Sequence, residues 1–155
     1  TALKLEPYYI PASMNLADLY RMTNREQEGE KIIQAALKIA PDNTELNLAY
    51  ALWLVREKQI DKAMPYLKQA AATGDNPHFK YVYAIALSQQ GKTSEALETL
   101  NQAAAMPMYN RDVQLSRIET VMQINRKDLA EKYLMEWKAI DPEDPAVQQM
   151  TQKNN

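Results

Sequence analysis

Residues 2–7 read Ala-Leu-Lys-Leu-Glu-Pro, and residues 36–41 read Ala-Leu-Lys-Ile-Ala-Pro. The alanines recur at Ala2, Ala36, Ala70 and Ala103, at intervals of 34, 34 and 33 residues. Pro142, after Ala139-Ile140-Asp141, closes one more unit. A period of this length, filled with helical patterning, constrains the chain more than any other feature. Each unit is a helix-turn-helix that cannot bury its apolar face alone, so stacked neighbours must share a core. Only three glycines occur in 155 residues, which suits long helices and disfavours turn-rich β folds. A stack of this kind presents a surface rather than a reaction centre.

Each unit carries two stretches with apolar residues three and four apart. In the first unit, helix A is predicted from Pro11 to Met22, with Leu16, Ala17, Leu19 and Tyr20 inward. Helix B follows from Glu26 to Ala40. In the second, Asp42 and Glu45 form a candidate capping box, and Asp61 is placed to cap helix B. In the third, Asn76-Pro77 opens helix A, Gly91 makes the turn, and Thr93 or Ser94 caps helix B. The fourth unit, Val113–Gln123 and Lys127–Ala139, is the least regular. A last helix from Asp144-Pro145 to Met150 caps the stack, and the polar end Thr151–Asn155 is expected to fray. Alanine at the helix crossings lets backbones approach while a large residue fills the flank: Ala17 beside Tyr20, Ala51 beside Leu54, Ala84 beside Leu87.

Composition removes several function classes. With no cysteine, the stretch holds no disulfide, thiolate nucleophile, Cys-ligated zinc or haem attachment. A single histidine, His78, rules out a His-pair metal site, and its place in a first turn reads as a solvated side chain. A net charge of −2 gives no basic stripe for nucleic acid. No apolar run reaches the length of a membrane span. There is no phosphate-binding glycine loop and no nucleophile elbow. Glu26, Glu28 and Glu30 read as a solvated helix face. No catalytic, cofactor or metal residues are expected, and no cofactor.

The residues at the repeat positions resemble the tetratricopeptide repeat family. Its small, large, small, large, small pattern and closing proline fall on Ala17, Tyr20, Gly29, Ile33, Ala36 and Pro41 in the first unit. They fall on Ala51, Leu54, Ala63, Leu67 and Ala70 in the second, and on Ala84, Leu87, Ala96, Leu100 and Ala103 in the third. The fourth has Ile118, Val121, Ala130, Leu134, Trp137 and Pro142. Gly29 replaces the usual helix B alanine, and Ile118 and Trp137 put bulk where small residues are usual. The resemblance implies an all-α fold, a right-handed superhelical solenoid of antiparallel helix-turn-helix repeats. Residues 1–155 then form one domain. Residues 1–9 are the tail of a truncated preceding repeat, with repeats at 10–43, 44–76, 77–109 and 110–143. Residues 144–155 are the cap helix and frayed end.

What the resemblance implies for function is a non-catalytic scaffold for protein–protein interaction. In this family the A helices line a concave surface. Helical phase places Met14, Asp18, Arg21 and Met22 there, then Leu48, Leu52, Val55 and Arg56. Tyr81, Ile85, Ser88 and Gln89 follow, then Leu115, Glu119, Met122 and Gln123. The set suits a peptide or a neighbouring domain with apolar anchors; packing between repeats is the competing reading for Leu52, Ile85 and Val55. Trp53 and Trp137 read as structural, with Trp53 also close enough to the face to act as an anchor. Members that grip acidic chaperone tails use paired lysines and asparagines in this groove; here those places are mostly apolar or acidic.

A narrower resemblance, through residues 15–21 and 81–87, is to repeats at the C-terminal end of large bacterial proteins, some with an N-terminal multihaem cytochrome c region. It implies the alternative of an assembly module packing on its own N-terminal redox domain, and a periplasmic location; otherwise a cytoplasmic one is expected. An exposed Tyr8-Tyr9-Ile10 patch at the truncated N-terminal end would favour a homodimer. The expected partners are thus a protein or peptide, or the chain's own N-terminal domain, with no nucleic acid and no membrane insertion.

Overall fold

The computed structural model describes residues 6–153, with side chains from Tyr9 to Gln152. The expected half-repeat lies mostly outside them, as do the side chain of Tyr8 and residues Asn154 and Asn155. Nine helices occupy the described residues, and no strand is found among them. They are α1 Glu6–Met22, α2 Glu26–Ile39, α3 Thr44–Arg56, α4 Ile60–Thr73, α5 Pro77–Gln89, α6 Thr93–Ala104, α7 Arg111–Gln123, α8 Lys127–Ile140 and α9 Pro145–Lys153. The chain divides after Gly74 into two compact units. In the first, α1 pairs with α2 and α3 with α4. In the second, α5 pairs with α6, α7 with α8, and α9 packs on α8. The fold is the all-α helical stack expected from the repeat.

The small residues sit at the helix crossings. Ala36, Ala51, Ala63, Ala70, Ala84 and Ala96 have no exposed surface. Gly29 marks the closest approach: a Cβ there would lie 3.0 Å from the Ala17 carbonyl oxygen, which explains the missing methyl. In the first unit Ala17, Ile33, Ala36 and Leu46 form the core, with Met14, Leu37 and Tyr50 packed against it. In the second unit Ile118, Val121, Ala130, Tyr133, Leu134, Trp137 and Val147 form a core that α9 closes.

The turn from helix A to helix B has the same construction four times. Asn24, Lys58, Gly91 and Asn125 all have φ between 56° and 75°, and they are spaced 34, 33 and 34 residues apart. After each, an N–H returns to a carbonyl five residues back: Arg25 to Tyr20, Gln59 to Leu54, Lys92 to Leu87 and Arg126 to Val121, at 2.8–2.9 Å. This is the Schellman ending, in which a left-handed residue lets the last carbonyls find donors. Glycine or asparagine adopts it with little strain, whereas at Lys58 it costs about 1 kcal/mol.

This turn moves several expected caps. Helices α4 and α6 begin directly after it, at Ile60 and Thr93, with Gln59 and Lys92 preceding them and no side-chain cap. Asp61 and Thr93 therefore lie inside the first turn and do not cap. At α3 the cap is Asn43, whose Oδ1 accepts the Leu46 N–H at 2.9 Å. Asp42 instead accepts from Gln69 Nε2 at 3.2 Å. Asn76 caps α5, with Pro77 at the first helical position. Helix α1 starts at Glu6, upstream of Pro11, which sits inside it; the proline removes one helical N–H without ending the helix. At the other end α9 continues past Met150 to Lys153, and the Thr151 hydroxyl donates to the Val147 carbonyl at 2.8 Å, so residues 151–153 are helical rather than frayed.

Buried polar residues recur as well. Ser13, Asn47 and Gln114, on A helices at the same repeat position, are 5%, 3% and 4% exposed. Asn47 Nδ2 donates to the carbonyls of Pro41 and Asn43, tying the inter-repeat turn to α3. Asp144 accepts two bonds from the Arg111 guanidinium, at 2.6 and 3.2 Å, and one from the Ala146 N–H. The Arg111 bonds hold its carboxyl below the usual range, so this clasp on α9 persists above that range and is lost as the pH falls through the lowered value.

Candidate protein-interaction face

Each unit brings two A helices side by side: α1 with α3, and α5 with α7. The phase of these helices follows from burial of one stripe against the B helices. Ala17, Ala51, Leu54, Ala84, Leu87, Ile118 and Val121 point inward. Residues one position on from the crossing alanine, or three before it, then lie on the outward side.

In the first unit, Asp18, Arg21 and Met22 on α1 are exposed and Met14 is half-buried against the core. On α3, Leu52 and Arg56 are exposed and Leu48 and Val55 are half-buried. Met22 is 76% exposed and Leu52 36%. The charges on this face are already engaged. Arg21 Nε lies 3.4 Å from Asp18 Oδ1, and Arg56 Nε lies 3.8 Å from Glu26 Oε2 on α2. What remains is apolar: Met22, Leu48, Leu52 and Val55.

In the second unit, Tyr81, Ile85 and Ser88 of α5 are half-buried and Gln89 is exposed. The Tyr81 ring lies 6.4 Å from that of His78, which is exposed. On α7, Glu119, Met122 and Gln123 are exposed, Met122 by 50%. Leu115 is half-buried and packs against the core, so it supports the face more than it presents it.

Two expected inward residues are not inward. Leu16 is 38% exposed and Leu19 56%. Their equivalents one repeat on, Tyr50 and Trp53, are half-buried: Tyr50 Oη accepts from Gln34 Nε2 of α2 at 2.8 Å, and Trp53 stacks on Tyr50 at 5.8 Å. No described helix stands to α1 as α2 stands to α3, so the same apolar positions face outward. Trp53 itself stays within this aromatic stack, its Nε1 buried without a hydrogen-bond partner.

Among the described residues no group of three His, Asp or Glu side chains could hold a metal ion, and no helix is long and apolar enough to cross a membrane. The large pKa shift lies off the face: the Arg126 fork holds the exposed Asp128 carboxyl down to about 2.

Comparison with known proteins agrees with this architecture. Three family models, each for the tetratricopeptide repeat, match residues 10–43, 54–107 and 81–145. No curated protein matches in sequence. Among solved structures, the MamA protein matches with a TM-score of 0.73 at 16% identity, over 90% of this chain and 76% of that one. YrrB, described as a TPR protein with an unusual peptide-binding site, matches at 0.71 and 19% identity, over 97% and 78%. A tetratricopeptide repeat protein from Parabacteroides merdae ATCC 43184 matches at 0.77 and 13% identity, over 92% of this chain and 57% of that one. At these identities the likeness is one of fold. Repeat register, capped helix pairs and family matches together lead to one conclusion: the chain belongs to the tetratricopeptide repeat family.

Proposed function

We propose that this protein is a binding scaffold and not an enzyme, holding a protein or peptide partner on the outward faces of its A helices. The observation that carries the reading is apolar exposure on those faces: Met22 and Leu52 in the first unit, where the charges of α1 and α3 are already paired, and Met122 in the second. Flexible methionines and a leucine in such a setting suit anchoring by apolar side chains of a partner. The structural neighbour YrrB is described by its peptide-binding site, which supports the same use of the fold here. A second reading rests on Leu16 and Leu19. Their exposure on α1 favours coverage of that helix by another domain, either the chain's own N-terminal region or a neighbour.

The test is capture from extract of the source cells with the parent chain and a Leu52→Asp, Tyr81→Ala double variant. Leu52 is exposed and Tyr81 half-buried, so circular dichroism is expected to show an unchanged fold. The expected result is a protein retained by the parent and lost by the variant. Equal retention by both would remove the A-helix face as the site.

A further inference from the structure

Three guanidinium groups of this chain are held in the same way, each on an aromatic ring and bound to a carboxylate. Arg25 lies 4.6 Å from the Tyr20 ring centroid and pairs with Glu28. Arg111 lies over Trp137 and pairs with Asp144, and Arg117 lies over Tyr133 and pairs with Glu136. A fourth ring and carboxylate stand together without a cation. Tyr109 Oη donates to Asp141 Oδ2 at 3.4 Å, and Asp141 forms no ion pair among the described residues. Beside them lies a recess of about 220 Å³. Met106, Met108 and Tyr109 line it from the loop between α6 and α7, and Ile140 lines it from α8.

That loop is longer than its turn requires. Residues 105–110 number six, whereas 40–43, 74–76 and 141–144, which connect the other B helices to the helix that follows, number four, three and four. The added length carries Met106-Pro107-Met108-Tyr109, with Met108 and Tyr109 exposed. The charge of this corner is acidic. Asp112, Asp141 and Asp144 act on it, and the cation there, Arg111, is already bound to Asp144. Burial first, and then the Asp141 and Asp144 charges, hold the Tyr109 hydroxyl above its ordinary range. It therefore stays a donor to Asp141 and leaves the second carboxylate oxygen free. The volume is below that of ordinary ligand pockets, so the recess suits a single long side chain. Its walls combine adaptable thioethers, aliphatic surface and a ring, which match the apolar stem of a basic residue.

We propose that this recess receives one arginine side chain of a second partner protein. The aliphatic stem lies against Met106, Met108 and Ile140. The guanidinium meets the Tyr109 ring and the free oxygen of Asp141, as Arg111 meets Trp137 and Asp144. Arginine is favoured over lysine because its planar fork bonds a carboxylate while it stacks on a ring. The site shares no residue with the A-helix face and does not depend on it.

The probes are acetylated Gly-Ser peptides with one central arginine, citrulline or lysine. Citrulline keeps the planar shape and loses the charge. Each is titrated into the full chain with ¹³C-methyl-labelled methionine, followed by NMR. The arginine peptide is expected to shift the Met106 and Met108 methyl signals saturably and to leave that of Met22 in place. The citrulline peptide is expected to bind about tenfold more weakly, because it lacks both the ion pair and the attraction of a cation to the ring. The lysine peptide is expected to fall between them. Asp141→Asn is expected to weaken arginine binding about fivefold, the upper range for an exposed charge pair, with no effect on citrulline. Unchanged Met122 and Met150 signals in that variant show that the fold is intact. Retained binding by the Leu52→Asp, Tyr81→Ala variant separates this site from the A-helix face. Absence of saturable shifts, equal affinity for arginine and citrulline, lysine binding as tight as arginine, or an Asp141→Asn protein that binds arginine like the parent overturns the proposal. So do Met106 and Met108 signals that move with protein concentration alone, because they assign the recess to a second copy.

Discussion

Trp137→Ala is expected to destabilise the second unit by about 3–5 kcal/mol, the range for deleting a buried aromatic side chain. Trp137 has no exposed surface and packs among Ile118, Tyr133, Leu134 and Val147. Its Nε1 donates to Tyr109 Oη at 2.9 Å, and the Arg111 guanidinium lies 5.7 Å from its ring. The alanine that stands here in other repeats, Ala36, Ala70 or Ala103, is surrounded by side chains shaped for a methyl group. Around Trp137 the neighbours are shaped for an indole, so truncation leaves a cavity and removes the hydrogen bond to Tyr109. Urea unfolding followed by circular dichroism measures the effect as a lower midpoint. Trp137→Phe keeps most of the volume and is expected to cost roughly half as much. A midpoint unchanged by Trp137→Ala would show that the fourth repeat does not rest on this residue.

Arg117→Ala is expected to cost about 2–3 kcal/mol. Arg117 is 7% exposed, and each edge of its guanidinium is bonded. Nε donates to Asn101 on α6 at 3.0 Å, one terminal nitrogen to Gln114 on α7 at 3.0 Å, and the other to Glu136 on α8 at 2.8 Å. The group also lies 3.9 Å from the Tyr133 ring centroid. Removing one member of a fully buried pair costs about 3–5 kcal/mol. The Glu136 side chain is 41% exposed, so water takes over part of its solvation and the loss is smaller. Arg117→Lys keeps the charge but cannot hold three helices with one planar fork; about half the loss is expected to remain. The same unfolding measurement decides it, and an alanine variant within 0.5 kcal/mol of the parent would show that the three bonds contribute nothing net.

The fold was legible because its signal is redundant. Small residues recur every 33 or 34 positions, and a helix crossing has no tolerance for bulk, so Ala51, Ala63, Ala84 and Ala96 report the same geometry independently. Turn chemistry was legible only in part. Gly91 announces a left-handed turn, and Asn24 and Asn125 are compatible with one. Lys58 gives no local sign of it, and the conformation follows from the repeat alone. Because the turn fixes where the B helices begin, Asp61 and Thr93 looked like caps without being caps. Leu16 and Leu19 have the pattern of inward residues, yet their burial depends on a neighbour that the periodicity of α1 cannot reveal. Arg117 was invisible for a related reason: its partners lie 16 and 19 residues away on different helices. The face on the A helices followed from phase. The pairing of Arg56 with Glu26 across two helices, which leaves the first unit's surface mainly apolar, required the packed structure.

The most direct test of the scaffold reading is hydroxyl-radical footprinting of the protein with and without its captured partner. Methionine, tyrosine and leucine all report side-chain exposure in this experiment. The account predicts that binding slows oxidation of Met22, Leu52 or Met122 on the A helices. Ile39, Met135 and Ile140, exposed on the B helices at 56%, 71% and 56%, are predicted to stay as reactive as before. Protection of Met135 and Ile140 with no change at Met22, Leu52 and Met122 would contradict it.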